Sequence, residues 1–304
     1  METERKRDSV NQRRIDYWTP GCGKTLLSNA LVNAVTSDAE SNGENHPKYI
    51  RVTSQLENKY VGDTERRIHA LFNLARRRAT SGNRVIIVFA NLAAVLQSSE
   101  TVASQLKAEF DEIRHMNQLI VIAETHRADL IAPFLLQNGR FSLHVRAHRP
   151  DSRAAQEIMM KHFPYSTSSS GRGQAVAQVN ELIDHIYDTG EGNLIGEVQY
   201  SDGEKKLLYL KDVLSGAMLV EVINRAQHSA VIRELREEAA HIKIGDLRLA
   251  AESVFQDREG LVSALLQNDL AQSSPETSRQ VSHFRTLDRL SRSTFIELNQ
   301  NQDS

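Results

Sequence analysis

The sequence is poor in cysteine, in long apolar runs and in charge of one sign. Its single cysteine, Cys22, excludes a framework of internal disulfides. No apolar run approaches the roughly 20 residues that a transmembrane helix needs, and residues 1–7 lack the apolar core of a secretory signal. We therefore expect a cytoplasmic protein. The formal net charge of −2 provides no overall basic field, so we expect neither nucleic acid nor a membrane as a partner.

Length and composition indicate a globular chain with room for two modest domains. The 304 residues are 40% hydrophobic and 25% charged. Shifts in composition predict a polar N-terminal segment at 1–17, an α/β subdomain at 18–150, a mainly helical subdomain at 151–255 and a polar tail at 256–304. We expect much of that tail to be mobile, because it offers little apolar surface to bury.

A glycine-rich turn precedes an amphipathic segment near the start of the sequence. It consists of Pro20, Gly21, Cys22, Gly23, Lys24, Thr25 and Leu26. In such a turn, backbone N–H groups and a helix N-terminus surround a phosphate. Lys24 would reach the outer phosphates of ATP or ADP, and the Thr25 hydroxyl would be a ligand of Mg²⁺. Trp18 stands where the full motif has its first glycine, so a turn that caps a helix and binds nothing is the alternative.

The residues after this turn alternate between helical and strand patterns. Apolar runs rich in β-branched residues predict buried strands at 85–89 and 119–123, and a short strand is predicted at 49–52. Helical spacing predicts helices between them. This alternation predicts an α/β fold with a parallel sheet flanked by helices on both faces. Residues 11–17 are polar, so the strand that should lead into the phosphate turn is either poor or missing.

The second half of the sequence is mainly helical in pattern. Helices are predicted at 154–163, 176–187 and 218–230. Asp246 is predicted to cap a last helix that ends at Phe255. Residues 166–173 have the composition of a linker. An Asp-Gly turn between two strand-like runs predicts a β-hairpin over 197–210.

Several motifs, in order along the chain, resemble the AAA ATPase module. They are the phosphate turn, the segment 58–66 (Asn-Lys-Tyr-Val-Gly-Asp-Thr-Glu-Arg), and stretches within 149–156 and 209–218. More narrowly, they resemble the proteasome-associated ATPases of actinobacteria. This resemblance implies a P-loop α/β subdomain followed by a small helical lid with a hairpin insertion. It also implies a hexameric ring that binds ATP between subunits and draws protein substrates through a pore into a proteasome.

The resemblance assigns roles to residues that match the family. The phosphate-binding residues of the turn are all retained. Lys59, Tyr60, Val61 and Gly62 match an aromatic pore loop that grips protein substrates. An aromatic ring suits that role because it offers a large contact without sequence preference. Gly216 and Ala217, which follow Ser215 in the same motif, match the part of the lid that packs near the nucleotide.

Departures from the family fall on positions that the resemblance assigns to hydrolysis. Ala90 and Asn91 stand where the family has an Asp that holds Mg²⁺ and a Glu that polarises the attacking water. His126 replaces an Asn that orients the γ-phosphate. Gln137 replaces an arginine that serves the neighbouring subunit's nucleotide, whereas Arg140 retains a second arginine. Because these positions are replaced, the resemblance allows us to assign no catalytic residue in this chain.

Three hypotheses about function follow. The preferred one is a nucleotide-binding protein with hydrolysis lost or weak, which enters a ring as an interaction or regulatory subunit. The alternatives are an active ATP-driven unfoldase and a remnant or scaffold that binds no nucleotide. Because the phosphate turn lies so near the start of the sequence, the resemblance also implies a divergent form without the family's preceding domains.

Overall fold

The computed structural model describes residues 13–18, 21–53, 62–80, 83–97, 100–127, 130–137, 139–164, 169–200, 203–235, 241–257 and 281–286. Contacts divide the chain into two compact units after Ala147, and the short turn Gly21-Cys22 belongs with the second unit. Among the helices in these described ranges, none combines the length and the apolar character needed to cross a bilayer.

The first unit is built on a five-stranded parallel sheet. Its strands are β1 (Arg13–Trp18), β2 (Lys48–Val52), β3 (Val85–Phe89), β4 (Leu119–Thr125) and β5 (Leu143–Ala147). Their spatial order is β2-β3-β4-β1-β5, and every neighbouring pair is parallel. The predicted α/β fold with a parallel sheet is confirmed.

Helices cover both faces of this sheet. They are α1 (Lys24–Ser41), α2 (Asp63–Thr80), α3 (Leu92–Gln97), α4 (Glu100–Glu112) and a 3₁₀ helix (Pro133–Leu136). Ile86 and Val88 pack with apolar side chains of α1, whereas Ile87 and Phe89 join the core under α2 and α4. Since alternate residues of β3 meet opposite layers, the whole strand is buried, and its sequence is continuously apolar.

Strand β1 decides between the two alternatives for the segment before the phosphate turn: the strand is present, although its sequence is polar. It has the sequence Arg-Arg-Ile-Asp-Tyr-Trp, yet it lies inside the sheet, where Ile15 pairs with Ala123 of β4 and with His144 of β5. The backbone ladder on both sides satisfies the N–H and C=O groups of the strand whatever its side chains are. A hydrophobicity pattern therefore could not reveal it.

The second unit combines helices with a small antiparallel sheet. The helices are α5 (Ser152–His162), α6 (Ser169–Tyr187), α7 (Leu210–Val213), α8 (Gly216–Glu234) and α9 (Ile244–Gln256), and a 3₁₀ turn spans Glu191–Asn193. Their shared core includes Met159, Val179, Leu182, Leu219 and Val254. The strands β6 (Leu194–Tyr200) and β7 (Lys205–Tyr209) form the predicted antiparallel hairpin, whose turn residues 201 and 202 lie outside the described residues.

One local prediction in this unit is wrong, and another, the capping by Asp246, holds from a different position. Helix α6 begins at Ser169, so residues 169–173 of the predicted linker are helical. Asp246 lies inside the first turn of α9, at its third residue, rather than at the cap position. Its carboxylate accepts a hydrogen bond from the backbone N–H of Lys243 at 2.8 Å and forms an ion pair with Arg233 at 2.7 Å. A buried ion pair thus holds the start of this helix.

A third strand comes from the segment that sequence analysis assigned to a polar tail. Strand β8 (Val281–Thr286) pairs antiparallel with β6, with Phe284 opposite Val198. Residues 258–280 and 287–304 lie outside the described residues. The segment Val-Ser-His-Phe-Arg-Thr has only two apolar residues, three apart, so it lacks the alternation that predicts a strand.

Candidate nucleotide-binding site

The phosphate turn leads from strand β1 into helix α1. Gly21 and Gly23 have φ angles of +82° and +87°, in the left-handed region that favours glycine. Two left-handed residues so close together allow the tight turn that a loop around an anion needs. Pro20 lies outside the described residues, and the Cys22 side chain is half-buried.

The first turn of α1 contributes neither a capping side chain nor an acidic residue of its own. Gly23 occupies the cap position and has no side chain to accept the first N–H groups of the helix, and the first turn contains no acidic residue. Lys24 is half-buried, whereas Thr25 and Leu26 are exposed. The first N–H groups of an α-helix have no partner within the helix, and together with the helix dipole they favour a phosphate at the N-terminus of this 18-residue helix. The residues of the turn thus fit a bound nucleotide.

Gly21 also contacts the start of α8 within the second unit. The N–H of Ala217 donates to the carbonyl oxygen of Gly21 at 3.0 Å. A Cβ atom added at Gly21 would lie 2.7 Å from Ser215 Oγ, and one added at Gly216 would lie 3.4 Å from the Gly21 oxygen. The segment that the family resemblance assigned to the lid is therefore adjacent to the first glycine of the turn.

A buried carboxylate that sequence analysis did not single out lies beside Thr25. Glu124, in β4, is 1% exposed. The Thr25 hydroxyl is 3.4 Å from its Oε2, and Arg51 Nη2 is 3.3 Å from its Oε1. The hydrogen bond to the Tyr49 hydroxyl and the charge of Glu124 raise the pKa of Arg51, so this side chain stays cationic. In the sequence, this residue could have been noticed because a glutamate directly follows the five apolar residues 119–123 of a predicted strand.

The end of β3 lacks acidic side chains. The N–H of Ala90 donates to the carbonyl oxygen of Val52 at 2.9 Å, which ties it to the end of β2. The Asn91 side-chain oxygen accepts from the N–H of Ala94 at 3.4 Å, a long contact at the cap position of α3. The family resemblance places two carboxylates here. The structure has a methyl group and an amide that faces the helix it precedes.

The other positions linked to hydrolysis are spread along the loops after β4. His126 is exposed directly after that strand, and Gln137 is exposed at the end of the 3₁₀ helix. Arg140 is mostly buried: its Nη1 donates to the carbonyl oxygen of Phe134 at 3.0 Å, and its Nη2 pairs with Asp111 at 2.9 Å. Arg140 therefore has partners within its own unit.

The pore-loop residues Lys59, Tyr60 and Val61 lie outside the described residues. Gly62 precedes α2 with a φ of +82°, and its carbonyl oxygen accepts from the N–H of Arg66 at 3.3 Å. Within the described ranges, no group of three or more His, Cys, Asp or Glu side chains could hold a metal ion. A cation at a P-loop takes most of its ligands from phosphate and water, so Thr25 with one nearby carboxylate fits Mg²⁺.

Comparisons with known proteins agree with this geometry. Residues 17–149 match the model of the ATPase family associated with various cellular activities (AAA), and residues 150–302 match that of the ARC, AAA+ ATPase lid domain. Proteins named proteasome-associated ATPase from Streptomyces scabiei, Thermobifida fusca and Geodermatophilus obscurus are 31%, 31% and 30% identical to it. Each match covers 89% of this chain and 50% of the relative, so the chain spans about half the length of these curated relatives.

The order of the two matched models is that of the two structural units, an α/β unit and then a mainly helical unit. The chain therefore belongs to the AAA ATPase family, is related to the proteasome-associated ATPases, and has an ARC-type lid domain.

Proposed function

We propose that this chain binds ATP and ADP at residues 20–26 and hydrolyses ATP weakly or not at all. The observation that carries the proposal is the contrast between the two halves of the site. The turn and the uncapped N-terminus of α1 suit a phosphate, whereas Ala90 and Asn91 at the end of β3 offer no carboxylate.

Binding would depend on groups that the chain retains. Backbone N–H groups of the turn donate to the phosphates, and the Lys24 ammonium adds a positive charge near the outer ones. The Thr25 hydroxyl is a ligand for Mg²⁺, which when bound offsets phosphate charge. None of these contacts requires a residue at position 90 or 91.

Turnover would be slow for two reasons. An amide cannot take a proton from the attacking water, and the loss of a positioned base costs on the order of 10²–10⁴ in rate. Gln137 has no charge to stabilise the transition state at a neighbouring subunit, where an arginine in related enzymes contributes about 10³–10⁵. These costs act on one chemical step and do not simply add.

We further propose that the chain acts in the cytoplasm as a member of a ring, hexameric by family resemblance, that handles protein substrates together with a proteasome. The proposal is supported by the sequence similarity of this chain to relatives that are named proteasome-associated ATPase. Lys59, Tyr60, Val61 and Gly62 would contact the substrate. Weak hydrolysis makes the chain a nucleotide-sensing or regulatory subunit beside active ones.

Nucleotide binding and phosphate release test the proposal together. Labelled ATP and ADP are titrated into the wild-type chain, Lys24→Ala and, as a matched control, Lys161→Ala, whose side chain is exposed at the end of α5. Wild type and the control should bind at micromolar levels and release little phosphate, and Lys24→Ala should lose most of the affinity.

Two outcomes contradict the proposal. Failure of the wild type to bind at millimolar nucleotide would favour a non-binding remnant. Rapid phosphate release that Lys24→Ala abolishes would favour an active unfoldase. The double variant Ala90→Asp, Asn91→Glu refines the assignment: an increase in phosphate release would show that these two positions limit hydrolysis.

A further inference from the structure

Glu124 is a buried carboxylate in a place where burial is costly. Its side chain is 2% exposed, against 27% for its ion-pair partner Arg51. An ionised carboxylate removed from water needs strong compensation from charge or hydrogen bonds. The contacts of its two oxygens are long, 3.3 Å to Arg51 and 3.4 Å to Thr25. Charge-assisted hydrogen bonds are normally about 2.7–2.9 Å.

A second buried glutamate in the same unit shows what a satisfied carboxylate looks like. Glu109 in α4 is also 1% exposed. Its oxygens contact His69, Arg76 and Gln105, each at 2.7 Å. An ionised carboxylate can accept about four hydrogen bonds. Glu109 is thus held by short bonds on both oxygens, whereas Glu124 retains capacity for a further cationic or water partner.

The register of the sheet places Glu124 next to the residue that lacks a carboxylate. Phe89 of β3 pairs with Ala123 of β4, so one step further Ala90 is level with Glu124 on the neighbouring strand. Val88 and Ile122, two residues earlier on the two strands, both pack with α1. Because side chains alternate along a strand, Glu124 lies on the α1 face, which is where Thr25 begins that helix.

We infer that Glu124 supplies the carboxylate of the Mg²⁺ site, from β4 rather than from position 90 on β3. It would accept hydrogen bonds from the water shell of a cation bound at Thr25, and Arg51 would balance its charge when the cation is absent. The inference rests on the proposed nucleotide binding. It concerns metal binding alone, because Asn91 still offers no base for hydrolysis.

Metal dependence of nucleotide affinity tests this role. Labelled ATP is titrated into the wild type and Glu124→Gln, in Mg²⁺ and in EDTA, and Mn²⁺ binding to the ATP complex is followed by electron paramagnetic resonance. Loss of a group that orients a metal's ligands costs about 10–100-fold in metal affinity. We expect a loss of that size in Mn²⁺ affinity for Glu124→Gln, with affinity for ATP in EDTA changed by less than about threefold.

Glu109→Gln is the matched control, because it removes an equally buried carboxylate that pairs with an arginine away from Thr25. It should lower the unfolding temperature and leave Mn²⁺ affinity unchanged. If Glu124→Gln proves unfolded, Glu124→Asp keeps the charge, retracts it by one methylene, and should weaken Mn²⁺ binding in a folded chain. The double variant Glu124→Ala, Ala90→Asp moves the carboxylate to the adjacent strand and should restore Mn²⁺ affinity.

The outcomes separate this inference from the proposed function. The role of Glu124 would be overturned if wild type, Glu124→Gln and Glu124→Asp had the same affinity for ATP in Mg²⁺ and their ATP complexes had the same affinity for Mn²⁺. That result would leave nucleotide binding intact. Equal affinity of the wild type for ATP in Mg²⁺ and in EDTA would have the same two consequences. Absence of ATP binding under both conditions would overturn the proposed function, and the metal role with it.

Discussion

The backbone N–H of Ala217 donates to the carbonyl oxygen of Gly21 at 3.0 Å. The hydrogen bond joins the first glycine of the phosphate turn to the first turn of α8, within one structural unit. Ser215, whose hydroxyl accepts from the N–H of Met218 at 3.4 Å, caps that helix beside the same glycine. A change in the phosphate turn should therefore affect the start of α8, and a change at the start of α8 should affect the turn.

Gly21→Ala should both destabilise the chain and weaken nucleotide binding. An alanine at a φ of +82° is strained by roughly 1–2 kcal/mol, and its Cβ would lie 2.7 Å from Ser215 Oγ. Displacement of that serine would disturb the cap of α8, which is worth about 1 kcal/mol. We expect a total loss of about 2–3 kcal/mol in the free energy of unfolding, measured by urea denaturation, together with reduced affinity for labelled ATP.

Gly43→Ala is the control for backbone strain alone. Gly43 follows α1 with a φ of +69°, and a Cβ there meets no atom within 4 Å. It should lose only the strain, roughly 1–2 kcal/mol, and bind ATP as the wild type does. Equal stability losses for Gly21→Ala and Gly43→Ala would show that the contact with Ser215 has no energetic weight.

Arg140→Ala should act mainly on stability. Its guanidinium donates to the carbonyl oxygen of Phe134 in the 3₁₀ helix and pairs with the half-exposed Asp111. Loss of the buried hydrogen bond should cost about 1–3 kcal/mol, and the exposed ion pair adds less than about 1 kcal/mol. Arg67→Ala, which removes the exposed pair with Asp63 within α2, should cost less than about 1 kcal/mol.

Thermal unfolding and nucleotide titration on the Arg140→Ala chain distinguish a structural role from a role at a neighbouring subunit's nucleotide. Normal stability combined with altered nucleotide affinity or turnover in the assembled protein would contradict the structural role.

Tyr187→Phe should destabilise the second unit. The Tyr187 hydroxyl donates to the carbonyl oxygen of Pro150 at 2.6 Å, and its removal leaves that oxygen without this donor, at a cost of about 1 kcal/mol. Burial, with a smaller contribution from Asp151, raises the pKa of Tyr187 to about 12. The stability that comes from the neutral phenol is therefore present below about pH 10 and is lost as the pH rises towards 12.

Urea denaturation near neutral pH and above about pH 10 measures both effects for Tyr187→Phe. The variant should start less stable and decline less steeply in alkali than the wild type. Parallel declines of the two proteins would show that Tyr187 does not titrate in this range.

His185 should make the second unit sensitive to acid. Burial, followed by the charge of Arg248, lowers the pKa of His185 below its ordinary value of 6.5. Because the unfolded chain takes up the proton more readily than the folded one, stability from the neutral imidazole is complete above about pH 6.5 and is lost as the pH falls through the folded pKa.

Unfolding temperatures measured between about pH 7 and pH 5 test this dependence. The informative quantity is the difference between the wild type and His185→Gln, because the variant keeps every other histidine and cannot take up this proton. The wild type should lose more stability than the variant on acidification. A difference that does not change with pH would mean that the imidazole titrates alike in both states.

Local patterns in the sequence were enough to predict several parts of the fold. Buried strands such as 85–89 and 119–123 are visible because a sheet covered on both faces demands continuous apolar residues. Helix α1 and the phosphate turn follow from glycines that permit a left-handed backbone and from the apolar spacing after them. The hairpin of β6 and β7 follows from its Asp-Gly turn.

Other features could not be predicted from the sequence, because the residues that stabilise them lie far apart in the chain. Strand β1 is polar and exists through its two neighbours, β4 and β5, and β8 pairs with a strand about 80 residues earlier. Ser169–Gly173 has a linker's composition yet forms the start of helix α6, whose later residues pack in the core of the second unit. Local composition contains no information about such partners.

By itself, the sequence determined the layered α/β architecture and the glycine-rich turn, since each depends on residues adjacent in the chain. The resemblance to the AAA family added that Ala90 and Asn91 stand where relatives have acidic residues. The tertiary structure alone decided that Glu124 comes within 3.4 Å of Thr25, 99 residues away. Parallel pairing brings the carboxyl ends of separate strands to one edge, and there side chains distant in sequence become neighbours.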